Sequence, residues 1–111
     1  MGNVKPSSRL NNEAIIRTAV YRKLRDEGYS RCIVATPLYL RAFRQDGSLR
    51  VYRANKGNHR HYFLEIRRAY RGISAKVQEA RRVLQQAFNR TVLFLEIQTT
   101  KQGQIVIKIH E

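Results

Sequence analysis

The sequence predicts an α+β fold: a single two-layer domain in the order α-β-β-β-α(α)-β-β, with helices packed on one face of a mainly antiparallel or mixed sheet. Three observations carry this. Apolar residues recur at spacings of three and four in two stretches that open on helix-capping residues. Between and after them lie short apolar runs bounded by turn residues, as strands are. The length of 111 residues, 42% of them hydrophobic, suits one packed core.

Residues 1–10 are polar and basic and read as a flexible arm; residues 11–111 form the domain. Asn11 or Asn12 can cap a first helix, whose inner stripe is Ile15, Ile16, Ala19, Val20 and Leu24 and which Gly28 ends. Arg31 to Thr36 is apolar enough for a strand, broken by Pro37. Leu38 to Arg53 then reads as a hairpin through an Asp46-Gly47 turn. One face of that hairpin carries Leu38, Leu40, Ala42, Leu49 and Val51; the other carries Tyr39, Arg41, Phe43, Arg50 and Tyr52. Residues 62–71 fit either period, and a helix is favoured because it would gather Arg67, Arg68 and Arg71 on one side. A clearer helix runs from Ser74 to about Asn89, with Val77, Ala80, Leu84, Ala87 and Phe88 inward and Lys76, Arg82 and Gln86 outward. The strands "TVLFLEIQ" and "QIVIKIHE" close the chain as a hairpin, Ile105, Ile107 and Ile109 forming its core face.

Charge narrows the function. There are 22 Lys plus Arg against 8 Asp plus Glu, a formal +14, and sixteen of the 22 are arginine. A field of that sign favours nucleic acid over neutral partners, and arginine's planar fork grips phosphate bidentately and stacks on bases. No apolar run is long enough to span a bilayer, and the first ten residues lack a signal-peptide core. Cys32, the single cysteine, cannot form an internal disulfide; a cytoplasmic, membrane-free setting is therefore expected.

Two surfaces are candidates for the binding. On the hairpin, Tyr39, Phe43 and Tyr52 interleave with Arg41 and Arg50, which would stack unpaired bases and hold the phosphates beside them. Lys56, His59 and Arg60 with Arg67, Arg68 and Arg71, joined by Arg81 and Arg82, would track a backbone. The aromatic face gives RNA a slight preference over DNA as the partner, single-stranded or distorted DNA being the other option. His59 and His61 with Cys32 and His110 do not make a zinc ligand set, and Arg60 stands where the histidine pair of rolling-circle relaxases encloses a hydrophobic residue. No nucleotide or other cofactor fingerprint appears, so a non-catalytic, cofactor-free binder is expected.

Should residues 61–68 form a strand, the order of elements is similar to the PD-(D/E)xK nuclease core. That resemblance implies Glu13, Asp46 and Glu65 as magnesium ligands. The Glu65-Ile66-Arg67 stretch departs from it by carrying arginine in place of lysine. A third reading is a basic adaptor within a protein or ribonucleoprotein assembly, its exposed tyrosines and arginines serving as anchors.

Overall fold

The computed structural model describes residues 13–43, 50–67 and 74–110, residues 41–43 by their backbone alone. Helix α1 spans Glu13–Asp26 and helix α2 Ala75–Phe88; the strands are β1 (Ser30–Val34), β2 (Val51–Lys56), β3 (His59–Arg67), β4 (Val92–Thr99) and β5 (Ile105–His110). They form one five-stranded mixed sheet in the order β1-β2-β3-β4-β5. Only β3 and β4 run parallel; the other neighbours are antiparallel. The α+β class, the single domain and the α-β-β-β-α-β-β order are those the sequence predicts. The basic arm and the Asp46-Gly47 turn lie outside the described residues.

Parallel pairing needs a crossover, and α2 supplies it. Ser74 caps this helix, its hydroxyl accepting the Val77 N–H at 3.3 Å, and Asn89 ends it in the left-handed region at φ 53°. In α1, Ile16, Val20 and Leu24 are fully buried while Ile15 is 37% exposed, so the inner stripe is narrower than the sequence suggests. In α2, Ala80 and Leu84 are buried, Val77 and Phe88 partly so, and Ala87 is exposed.

Two apolar clusters pack against the sheet. Phe63 clusters with Ile16, Val20 and Leu24 of α1, together with Tyr52, Ala54, Leu95, Ile97 and Ile107. Its neighbour Leu64 clusters instead with Ala80 and Leu84 of α2, together with Val51, Ile66, Val92 and Phe94. Adjacent residues of a strand point to opposite sides of a sheet. Each helix therefore seals its own apolar cluster, and β3 runs between them.

Two sequence expectations change. Residues 62–67 belong to strand β3, not a helix. A strand buried on both sides reads as a continuous apolar run, and "YFLEI" then carries no period of two to betray it. Leu38–Phe43 is a 3-10 turn, not half of a hairpin. Strand β2 already has β1 on one edge and β3 on the other, which leaves residues 38–43 no edge to pair with.

Candidate nucleic-acid interface

The aromatic–arginine platform is the first casualty of that rearrangement. Tyr52 is fully buried, and its hydroxyl donates to Glu65 Oε1 at 2.8 Å. Arg50 is only 6% exposed. Its Nε lies 3.5 Å from Glu65 Oε1, and its Nη1 donates to the Glu13 carbonyl at 3.4 Å. Arg67 Nη2 stands 3.8 Å from Glu65 Oε2. Three residues expected on a binding face thus build an internal polar cluster around one carboxylate. Burial pushes the Glu65 carboxyl above its ordinary range, opposed by Arg50, the Tyr52 hydrogen bond and Arg67. Burial likewise raises the Tyr52 phenol, aided by the Glu65 charge.

Of the remaining platform residues, Tyr39 is 46% exposed on the 3-10 turn. Arg41 and Phe43 continue the backbone of that turn, and Arg68 and Arg71 lie outside the described residues. Arg81 is laid over the Phe94 ring at 4.4 Å from its centroid, and Arg82 Nε donates to Glu79 at 2.8 Å. Both are already engaged within the fold.

The second surface survives in part. Lys56 and His59 flank the Gly57-Asn58 turn between β2 and β3, and these residues and Arg60 are exposed. Gly57 takes a positive φ of 62°, which a two-residue hairpin turn requires and glycine adopts without steric cost. Beyond the turn the ladder pairs Asn55 with Arg60 and Ala54 with His61. Tyr62 is matched with Val92, so Arg90 arrives beside the same end of the sheet from the far side of the α2 crossover. Underneath, Tyr29 packs edge-on against His61 at 5.2 Å and Phe63 at 5.1 Å, with Lys56 Nζ 5.0 Å from its ring centre. The ring is occupied as a support and leaves the surface to cations.

The field there is legible in one imidazole. Burial lowers the pKa of His61 first, and the charges of His59, Lys56 and Arg90 lower it further. Sequence reasoning found Lys56, His59 and Arg60 but missed Arg90, which is separated from His61 by the whole crossover and carries no local signal. The nearby acid is Glu27, which acts on Tyr29 and is itself 3.8 Å from Lys23.

The nuclease-like arrangement meets its topological condition, because residues 62–67 are a strand and Glu65 sits within it. Its chemistry does not follow. Glu65 is fully buried and flanked by two guanidinium groups, which already balance its charge and would repel a divalent cation. Glu13 belongs to the first turn of α1, and Asp46 lies outside the described residues. Among the described residues no group of three or more His, Cys, Asp or Glu is placed to hold a metal. Among these residues, too, no helix is long and apolar enough to cross a membrane.

No family model, no curated protein and no solved structure matches this chain.

Proposed function

We propose that this domain binds the phosphate backbone of nucleic acid without cutting it, through the end of the sheet that carries Lys56, His59, Arg60 and Arg90. The observation that carries the reading is the clustering of cations around His61, while the nearby acid Glu27 is drawn to Lys23. A chain of net charge +14 supplies the long-range attraction, and the turn supplies the local contact. Because Tyr52 is interior and Tyr39 is the stacking candidate whose described side chain stays exposed, positioning on the backbone becomes the main mode. Contacts of that kind carry little sequence preference.

The test is a salt series of binding to single-stranded RNA, single-stranded DNA and duplex DNA, with magnesium present and the strands inspected for cleavage. Removing two phosphate contacts with Lys56→Ala and Arg60→Ala is expected to flatten the plot of log K against log salt by about 1.8 on duplex and about 1.4 on single strands. An unchanged slope removes this surface from the interface, and binding insensitive to salt removes the reading altogether. Cleavage lost in Glu65→Gln establishes the nuclease in its place.

A further inference from the structure

Six large hydrophobic side chains stand exposed among the described residues; Ile33 (40%) and Val34 (37%) lie on β1, and Leu38 (75%) and Tyr39 (46%) on the 3-10 turn that follows it. Among the described residues β1 is the outermost strand and pairs with β2 alone. Ile33 and Val34 are neighbours on the strand and therefore point to opposite sides, so neither side of the edge is fully covered. The Ala35 N–H donates to the Val51 carbonyl at 2.7 Å, and Ile33 is matched with Arg53. Strict alternation then turns the N–H and C=O of Val34 away from β2, towards the open edge.

Three cations rim this strip. Arg31 is exposed and held at φ 54°, where the β1–β2 register shifts between Ser30 and Ile33. Arg53 stands across from Ile33. Arg25 is close enough for its charge to act on the Cys32 thiol, opposing the burial that raises it. None of the three forms an ion pair with a described carboxylate. Soluble sheets ordinarily blunt such an edge with charge on the strand, proline or a bulge. Here the irregularity lies between Ser30 and Ile33, and beyond it the outward backbone of Val34 meets no strand among the described residues.

We infer that β1 is a docking edge for an acidic, extended segment of a partner protein, which adds a sixth strand to the sheet. Unpaired backbone calls for another strand, the apolar pair on either side calls for alternating apolar residues, and the arginine rim calls for carboxylates between them. A second copy of this chain is disfavoured as the occupant, since it brings +14 of its own to a rim that is already positive. Tyr39 apart, which the nucleic-acid reading keeps for stacking, this strip lies away from the Gly57-Asn58 turn, and its test contains no nucleic acid.

The probe is a blocked synthetic peptide of alternating valine and glutamate; the control alternates glycine and glutamate at the same charge. Saturation with the valine peptide is expected to slow amide hydrogen exchange at Val34 by roughly tenfold or more while leaving Gly57 and Asn58 unaffected. Val34→Pro deletes an N–H that points outwards and spares the ladder to β2, so the protein folds and loses affinity by roughly tenfold or more. Leu38→Lys, at the most exposed apolar position, is expected to weaken binding as well. Equal binding of the glycine control reduces the edge to a charge effect and overturns the inference. It is overturned too if Val34 already exchanges slowly in dilute protein, the chain then covering its own edge. A sedimentation mass that doubles in the protein alone, and reverts in Leu38→Lys, makes the occupant a second copy and overturns it likewise.

Discussion

His61 shows at the scale of one residue how a surface field writes itself into stability. Its folded pKa lies below the ordinary imidazole value because burial and three neighbouring cations disfavour the proton. A depressed folded pKa means that the unfolded chain takes up the proton first as pH falls. The stabilising contribution is therefore complete above about pH 6.5 and is lost as pH drops through the lower folded value. Urea denaturation of wild type and His61→Gln between neutral pH and about pH 5 should show wild type losing stability relative to the variant on acidification. Parallel curves mean that His61 does not feel Lys56, His59 and Arg90. Glu65 teaches a different lesson. In the sequence it is one acid in an arginine-rich stretch, open to reading as a magnesium ligand. In the fold it organises Tyr52, Arg50 and Arg67, drawing the first two into the interior and half-burying the third. Nothing local to any of the four residues announces this, because the contacts join β2, β3 and the start of α1 across the sheet.

Elements were legible in proportion to how local their signals are. Helix α2 is bracketed by a capping serine and a left-handed asparagine, both within a few residues of the boundary they set, and its expected limits match. The β4–β5 hairpin is joined by a short turn and was likewise readable. Strand β3 was not, because its type follows from burial on both sides, a property of the assembled sheet. That central placement has an energetic corollary. Leu64 is fully buried between β3 and α2, so Leu64→Ala is expected to cost about 2–5 kcal/mol, measured by equilibrium urea unfolding. A loss within about 0.5 kcal/mol fits a surface position and contradicts the β3 register. The binding hairpin failed for the complementary reason. Its alternation was real, but β2 had two better partners, and residues 38–43 were left to form a 3-10 turn that delivers Leu40 to the cluster beneath α2.

Across the whole molecule, charge is the dominant quantity, and it was the part of the functional reading most directly available from composition. What composition cannot give is where the positive groups gather, since that depends on a parallel crossover bringing Arg90 to the β2–β3 turn. An excess of +14 also strains the compact state through self-repulsion. Raising monovalent salt from about 50 mM to about 500 mM shortens the screening length and should lift the melting temperature by a few degrees, read by circular dichroism. A flat response means that local pairing already compensates the charge within the fold.

The lone parallel pair also sets an order in time. Strands β2 and β3 are joined by a two-residue turn, but Tyr62 meets Val92 only once the chain has grown thirty residues further. The first helix waits longer still. Ile16, Val20 and Leu24 pack against Leu95, Ile97 and Ile107, so a helix completed early in synthesis finds its apolar seat only when the last strand emerges. On the ribosome the first two-thirds of this chain therefore form a sheet with an unoccupied edge at β3 and an unseated helix. The described sheet and the seat of α1 are complete only once β4 and β5 have left the exit tunnel.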